Sequence, residues 1–186
     1  MSELEPSLVF KFATEGWEFE QIHQLNYRTF VEEIPQHASS SDRRLVDKFH
    51  AENAYVICLD DRTLVGMMAL RGTRPFSLDQ KLLDLDSLLP SGCSALEIRL
   101  LAIEKNHRGM RGGQILSGML ELLWTYGVDN DYDLGVISAT TRQLKLYQHM
   151  GFVSFGPLVG TENAPYQPMY TTRETFELSA RRFLKK

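Results

Sequence analysis

The segment from residue 95 to residue 140 carries a strand, a glycine-rich turn, a helix and a second strand in direct succession. ALEIRLLAIE (95–104) has the composition of a strand, and LGVISAT (134–140) is a nearly continuous apolar run, as in strands buried on both faces. The helix between them shows one apolar face, formed by Ile115, Met119, Leu122, Leu123 and Tyr126. Because such a succession usually forms a crossover, we predict that the two strands lie side by side and parallel, with a helix from about residue 113 between them.

The rest of the chain alternates between strand and helix patterns without internal repeats. We predict the order β-α-α-β-β-β-α-β-α-β-β-α, with helices over 18–34 and 39–53 and a hairpin over 54–72. A tail helix after Thr171 has a Thr-x-x-Glu capping pattern and an apolar stripe formed by Phe176, Ala180, Phe183 and Leu184. The connection 73–94 is long, so it is either a cover over a functional site or a surface excursion held by its leucines.

The composition of the chain limits the classes of protein to which it can belong. With 186 residues, 43% hydrophobic and 24% charged, the chain suits one globular domain, residues 1–186. The net charge of −4 argues against a nucleic-acid binder. The five histidines are scattered, and Cys58 and Cys93 form no metal-binding spacing or disulfide framework. We therefore expect no metal and two reduced thiols in a cytoplasmic protein. No apolar run approaches about 18 residues and MSELEPS lacks the pattern of a signal peptide, so we expect no membrane span and no secretion.

The segment KNHRGMRGGQ (105–114) combines positive charge, glycine and a helix start. Lys105, His107, Arg108 and Arg111 lie here without any carboxylate. Glycines let backbone N–H groups face outward at the positive end of the helix, and together these features form a phosphate site. Solvated loop charges are the alternative. The segment has neither the Lys-Ser/Thr of a P-loop nor the G-x-G-x-x-G of a dinucleotide-binding fold.

The same segment resembles the pyrophosphate loop of the GNAT N-acyltransferase superfamily, R-G-x-G-x-G. Its six positions are occupied here by Arg108, Gly109, Met110, Arg111, Gly112 and Gly113. The middle glycine of the family is therefore replaced by Arg111, and Gly112 beside it could absorb a one-residue shift. The resemblance implies that these residues, with Gln114, hold the pyrophosphate of acetyl-CoA or a longer acyl-CoA.

A second match lies just before this loop. LAI (101–103) stands where the family has Leu-Ala-Val, in a strand whose backbone pairs with the pantetheine arm. The resemblance implies that this role falls to Leu101, Ala102 and Ile103. It also implies an α/β (α+β) fold of the GNAT kind, which has a mixed, mostly antiparallel central sheet with helices on both faces. The two central strands would be a splayed parallel pair that diverges near residues 102–104.

Two further matches concern catalysis. EIRLLAI (97–103) resembles a strand whose first glutamate is the general base, which implies Glu97. TTRQLKLYQHMGF (140–152) resembles the helix whose tyrosine protonates the departing thiolate, which implies Tyr147, with Thr140 where asparagine is usual. Glu97 fits equally well an outward carboxylate paired with lysine or arginine. Tyr147 also fits a core tyrosine, because it shares a helical face with Leu144 and Met150.

A weaker resemblance lies upstream and downstream of the loop. NYRTFVEEIPQH (26–37), FSLD (76–79) and PYQPMY (165–170) are similar to the N-acyl amino acid synthase and autoinducer synthase branch of the superfamily, with Asn26 where that branch tends to have arginine. Members of that branch often take long acyl chains from acyl carrier protein. This resemblance implies acyl carrier protein as an alternative donor.

The acceptor is expected to enter over the first helices and the 73–94 connection. Arg28, Glu32 and Glu33 offer both signs of charge to an amine that also bears a carboxylate, although they also fit solvated surface charges. Five leucines could line an acyl groove or only anchor the connection, namely Leu82, Leu83, Leu85, Leu88 and Leu89.

Three functions remain open. The first is an acyl-CoA N-acyltransferase acting on a small amine or amino acid. The second is a synthase that depends on acyl carrier protein. The third is a non-catalytic sensor of acyl-CoA. The sequence leaves the acceptor, the acyl length and the oligomeric state open.

Overall fold

The computed structural model describes residues 8–162 and 164–184, the last five of these without their side chains. The strands are β1 Leu8–Phe12, β2 Ala54–Asp60, β3 Thr63–Arg71, β4 Ala95–Ile103, β5 Leu134–Thr140, β6 Val153–Ser154, β7 Val159–Thr161 and β8 Ala164–Thr172. The helices are α1 Gly16–Tyr27, α2 Leu85–Leu88, α3 Met110–Asp129, α4 Leu144–His149 and α5 Arg173–Leu184. A π-helical turn, Arg28–Glu33, continues α1. Within the described ranges, no helix combines the length and the apolarity needed to cross a membrane.

The strands form one mixed sheet in the order β1-β2-β3-β4-β5-β8-β6, with β7 paired to β8. The pairings of β1 with β2 and of β8 with β5, β6 and β7 are antiparallel, whereas β4 and β5 are parallel. This confirms the predicted fold class and the parallel pair at its centre. The β4–β5 register covers Ala95–Glu97 against Leu134–Val136. Farther along β4, Leu100 has φ +54, a left-handed value that interrupts an extended strand.

The chain divides into two compact units, one formed by residues to Ala69 with Leu100–Leu123 and the other by Leu70–Arg99 with Trp124 onward. In the first unit, α1 packs its buried face on β2 and β3, and Glu18 fixes its start by accepting hydrogen bonds from Thr14 N and Glu15 N. The core residues of this unit include Ile22, Leu25, Phe30, Tyr55, Ile57, Leu64, Met67 and Ala102. A Cβ at Gly66 would lie 2.6 Å from Ile115 Cγ2, so this glycine lets α3 approach β3 closely.

In the second unit, the 73–94 connection is held in place by ion pairs and by buried leucines. Arg74 forms ion pairs with Asp79 and Asp86. Two of the five leucines belong to the core of this unit, because Leu82 and Leu85 pack with Phe76, Leu78, Val136 and Val159. By contrast, Leu83 is fully exposed and Leu88 is 39% exposed. The connection is thus anchored by leucines, and a groove role remains a prediction.

The helix predicted over 39–53 is absent, and that prediction was wrong. The segment has turns and a single 3-10 turn, His50–Glu52. Arg43 adopts φ +51, which a helix excludes, and its guanidinium reaches Glu32. The polar side chains of this segment suit the surface of a helix, but Arg43 and Arg44 form ion pairs with the preceding helical stretch instead. These tertiary contacts override the helix propensity of the segment.

The tail helix begins at Arg173, one residue later than the capping pattern indicates. Thr171 lies in β8, and Thr172 is the cap because its Oγ1 accepts from Thr175 N at 3.2 Å. Phe176 is buried and stacks on Trp124, as its place in the predicted stripe suggests. The side chains of Ala180, Phe183 and Leu184 lie outside the described part of the chain.

Candidate active site

The glycine-rich segment makes a turn that opens directly into α3. Gly109 has φ +101, a value that favours glycine, and α3 begins at the next residue, Met110. The helix therefore starts about one turn earlier than the predicted residue 113, because Arg111 in place of the middle glycine is compatible with a helix. A helix leaves its first-turn N–H groups without internal partners, here those of Met110, Arg111 and Gly112. Gly113 N already donates to Gly109 O at 3.3 Å.

The positive charges of this segment are paired with carboxylates from distant parts of the first unit. Arg108 donates from Nη1 and Nη2 to the two oxygens of Glu33, at 2.7 and 3.0 Å, and from Nε to Ile103 O at 2.9 Å. Arg111 donates to Asp60 Oδ2 at 2.9 Å, and His107 Nε2 lies 3.5 Å from the same atom. Both arginines keep about two fifths of their side chains exposed, so solvent anions can still reach them.

Sequence reasoning missed these partners. Glu33 is 75 residues from Arg108, and Asp60 is 51 residues from Arg111. The segment itself contains no carboxylate, so its charge balance becomes visible only in the folded chain. Asp60, at the end of β2, is a residue of this region that the sequence did not single out.

The end of β4 leads into the glycine-rich segment. Ala102 is buried in the core of the first unit, whereas Leu101 and Ile103 are partly exposed. The carbonyl of Ile103 is engaged by Arg108, and Glu104 N donates to Val65 O at 2.8 Å. Whether this backbone pairs with a pantetheine arm stays a prediction.

Glu97 lies in the second unit and is nearly inaccessible, at 1% exposure. Its Oε1 accepts from Ser77 Oγ at 2.5 Å and from Leu78 N at 3.2 Å, and its Oε2 accepts from Ser77 N at 2.9 Å. Arg99 Nε stands 3.6 Å from Oε2. The side chain therefore points inward rather than outward, and it fixes the start of the Leu78–Gln80 turn. A carboxylate offers about four acceptor positions, of which these donors occupy three, and the fourth belongs to Oε2, the oxygen nearest Arg99 Nε.

Tyr147 is buried on α4, and its ring meets Phe152 edge to face at 5.9 Å between centroids. Burial raises the pKa of its phenol to about 12. The hydroxyl makes no hydrogen bond to the residues that the structure describes. Thr140 ends β5, is partly exposed, and pairs in register with Tyr166 of β8. Within this unit, Tyr147 thus keeps a protonated hydroxyl that no described group uses.

The three residues predicted to bind the acceptor are each in an ion pair of the first unit. Arg28 Nη2 donates to Glu104 Oε2 at 2.6 Å, Glu32 accepts from Arg43, and Glu33 accepts from Arg108. Each of the three is therefore paired with a residue outside this group, rather than simply solvated. Their role toward an acceptor stays a prediction.

The structure also reveals buried polar groups that the sequence did not single out. His23, Asn26 and Thr29 lie on the buried side of α1 and the π-helical turn. Their spacing of three residues on one helical face was the signal that could have identified them. Among the described residues, no group of three or more potential metal ligands comes together.

The comparisons with known proteins agree with this geometry. The family model described as "Acetyltransferase (GNAT) domain" matches residues 25–118, which is 94 of the 186 residues and includes the glycine-rich segment. The chain belongs to this GNAT acetyltransferase family and is an N-acyltransferase. No curated protein sequence matches the chain.

Solved structures with the same fold cover nearly the whole chain. A CoA-dependent acyl-homoserine lactone synthase, BjaI, with SAM and isopentyl-CoA, is 20% identical with a TM-score of 0.76, over 95% of this chain and 90% of that one. The acyl-homoserine lactone synthase LasI is 17% identical with a TM-score of 0.78, over 94% and 95%. FeeM, an N-acyl amino acid synthase from uncultured soil microbes, is 13% identical with a TM-score of 0.71, over 97% and 99%. At these identities the likeness establishes the fold.

Proposed function

We propose that the chain transfers an acyl group from acyl-coenzyme A directly to the amine of a small molecule or amino acid, as a single cytoplasmic domain. The observation that carries this proposal is the turn at Gly109, which opens into the N-terminus of α3 beside two half-exposed arginines. Acyl-homoserine lactone synthases and an N-acyl amino acid synthase share the fold, and the product named for each carries an acyl group. Cys58 and Cys93, which are both free thiols, are consistent with a reducing compartment.

The proposed donor site is the loop Arg108–Gln114, where the N-terminal N–H groups of α3 would bind the pyrophosphate. A Cβ added at Gly113 would meet nothing within 4 Å, so the helix surface there is open to a ligand. The backbone of Leu101–Ile103 would pair with the pantetheine arm, and Thr140 would contact the donor from β5. Arg108 and Arg111 would exchange a carboxylate partner for a phosphate, which a guanidinium binds with the same forked geometry.

The proposed reaction has one step. The neutral amine attacks the thioester carbonyl carbon, a new C–N bond forms, and the C–S bond breaks. Tyr147 gives its phenolic proton to the departing thiolate and is reprotonated from solvent. Glu97 takes the proton that the amine loses, through a water at its remaining acceptor position. Positioning and proton transfer are enough because the thioester is already activated.

The hydroxyl of Tyr147 supports its proposed role as the acid. Its phenol is protonated at neutral pH, as an ordinary tyrosine is, and its hydroxyl has no hydrogen bond to described residues that would compete with the leaving group, whereas the rise of its pKa to about 12 makes it a weaker acid. For Glu97, Ser77 and Leu78 occupy most of the acceptor positions of the carboxylate. Its proposed role is therefore that of a base acting through water.

On the acceptor side, Arg28, Glu32 and Glu33 are proposed to attract and orient an amine that carries a carboxylate. Each is in a half-exposed ion pair, and such pairs contribute only about 0–1 kcal/mol, so a substrate can displace them. Glu33 would contact the acceptor, and it would also affect donor binding because it neutralises Arg108.

A second candidate donor is acyl carrier protein. From Leu134 to Thr161 the chain contains no carboxylate, and the three basic side chains there, Arg142, Lys145 and His149, are all exposed. Arg142 and Lys145 form no ion pair with described residues. The exposed basic side chains of this acid-free stretch would suit an acidic partner.

The test is a donor series from acetyl-CoA to dodecanoyl-CoA, each also presented on acyl carrier protein, with pooled amino acids and small amines as acceptors. Mass spectrometry of N-acyl products identifies both substrates. Product from the CoA series is the expected result. Product only from the carrier protein, lost in the Arg142→Glu/Lys145→Glu double variant, would favour the second candidate. No product from either series would reject both.

A further inference from the structure

Three buried polar side chains of the first unit lie in a row without complete hydrogen bonding. His23, Asn26 and Thr29 occupy positions i, i+3 and i+6 and are 5%, 0% and 5% exposed. Their atoms His23 Nδ1, Asn26 Oδ1 and Thr29 Oγ1 have no hydrogen-bond partner among the residues that the structure describes. Because buried polar atoms in folded proteins are nearly always hydrogen-bonded, three such atoms in one row call for a partner.

The segment 38–48 runs over this helical stretch and is attached to it by polar contacts. Leu45 N donates to His23 O at 3.0 Å, and Asn26 Nδ2 donates to Leu45 O at 3.4 Å. Tyr27 Oη donates to Ser40 O at 3.1 Å. Two exposed ion pairs, Arg43–Glu32 and Arg44–Glu20, add to the attachment, and Leu45 packs against the core of the first unit.

The polar contacts that attach this segment are weak. Exposed ion pairs are weak and are screened by salt, and hydrogen bonds at a surface exchange with water. The segment has no helix or strand of its own apart from the turn that follows it. Its opening would expose the three polar atoms and would also separate Leu45 from the core of the first unit.

We propose that His23, Asn26 and Thr29 form the binding site for the amine substrate, and that the 38–48 segment opens to admit it and closes over it. The inference rests on the proposed acyltransferase function and names the residues that would hold the acceptor. It adds a buried polar row to the charged residues proposed above, which would attract the molecule before it enters.

The chemistry of the three atoms selects a ligand that donates hydrogen bonds. Asn26 Oδ1 is an acceptor, and Thr29 Oγ1 can accept or donate. Burial, then the nearby His50 and Arg44, lower the pKa of His23, with Glu20 opposing them. The neutral ring accepts at Nδ1 when its proton is on Nε2. An amine supplies several N–H donors, and a row spanning about 9 Å of helix fits a molecule with a second polar group.

The test measures binding of amines without any acyl donor. The probes are the twenty protein L-amino acids, ethanolamine and putrescine, each assayed by thermal shift and calorimetry. Thr29→Val removes only the unpartnered hydroxyl and keeps the shape. The variant should raise the melting temperature of the free protein, because it removes an unsatisfied buried group, and should weaken binding of the active probe at least tenfold.

The matched control is Thr171→Val, which removes a buried hydroxyl that is hydrogen-bonded to Thr175 Oγ1. It should lower the melting temperature and leave probe affinity unchanged. Hydrogen exchange of the 38–48 amides should slow when the probe binds. Absence of binding by every probe, equal affinity in Thr29→Val, or binding without protection of this segment would each overturn the inference.

Because these readouts need no acyl donor, they are separate from the proposed function. If acyl transfer is observed and the KM for the amine is insensitive to Thr29→Val, the inference fails while the function stands. If an amine binds as described and no acyl transfer occurs with any donor, the site stands and the function fails.

Discussion

Arg108 and Glu33 form a two-pronged ion pair, with N–O distances of 2.7 and 3.0 Å, that joins the loop proposed for the acyl donor to the helical turn proposed for the acceptor. Both side chains are partly exposed, at 43% and 29%. In the proposed donor site, the pyrophosphate would therefore compete with the Glu33 carboxylate for the Arg108 guanidinium. Binding of the donor would release Glu33 toward the acceptor.

The first prediction follows from this rivalry. Glu33→Gln should tighten acyl-CoA binding about two- to fivefold, because Arg108 loses its neutralising partner and exposed pairs contribute up to about 1 kcal/mol. Calorimetry at low salt measures the effect. Glu20→Gln, which frees Arg44 away from the loop, is the control and should leave donor affinity unchanged. Weaker donor binding in Glu33→Gln would show that the pair supports the site rather than competing with it.

A second prediction concerns the open surface of α3. Gly113→Val should weaken acyl-CoA binding at least tenfold, since a branched side chain would occupy the space proposed for the pyrophosphate. Gly127→Val places the same substitution in the same helix, where a Cβ also meets nothing within 4 Å. The two variants share the cost of a β-branched residue in a helix and differ only in the ligand. Equal donor affinity in both would remove the pyrophosphate from this loop.

Tyr147→Phe is the third prediction. Turnover should fall about 100- to 10,000-fold with little change in donor affinity, because the hydroxyl acts only as the thiolate leaves. Steady-state kinetics with calorimetric donor affinity separates the two effects. Unchanged turnover would assign Tyr147 to the core alone.

The same residue gives a pH dependence of stability. Its pKa is raised from 10.0 to about 12, so the unfolded chain loses this proton first. Its contribution is complete below about pH 10 and is lost as pH rises toward 12. Urea denaturation of the parent at pH 9 and pH 11.5 should show a larger loss of stability than Tyr147→Phe shows over the same interval. Identical losses would mean that the phenol is not buried in solution.

The fourth prediction separates two roles of Glu97. Ser77→Ala removes one of its hydrogen bonds and should lower the free energy of unfolding by about 1–3 kcal/mol. If Glu97 is the base, Glu97→Gln lowers the rate and abolishes the acid limb of the pH–rate profile, whereas Ser77→Ala keeps that limb. If both variants lose stability and keep the same limb, Glu97 only anchors the Leu78 turn.

The sequence predicted the parallel strand pair and the loop before α3 because both depend on residues close together in the chain. Glu97, Gly109 and Tyr147 were predicted as site residues from the resemblance of short motifs to those of the GNAT superfamily, and their roles stay predictions. The pairing of Arg108 with Glu33 could not be predicted from local sequence, since it joins residues 75 positions apart. The prediction of a helix over 39–53 was wrong for a related reason. Arg43 and Arg44 form ion pairs with the preceding helical stretch, and local sequence does not show these contacts.

The unpaired row of His23, Asn26 and Thr29 shows a different limit. Helical spacing placed Ile22 and Leu25 on a buried face, and it equally implies burial of polar neighbours on that side. Polar residues in a helix are ordinarily assigned to solvent, so their burial was visible only once the 38–48 segment was placed over them.

The central claim is direct transfer of an acyl group from acyl-CoA to an amine, and its most direct test is the stoichiometry of one reaction. Free coenzyme A and N-acyl product are quantified together by mass spectrometry, and the intact protein mass is recorded during turnover. We expect one molecule of product for each coenzyme A released, with no acyl adduct on the protein. Release of coenzyme A without N-acyl product, or an acylated protein that accumulates during turnover, would contradict the account.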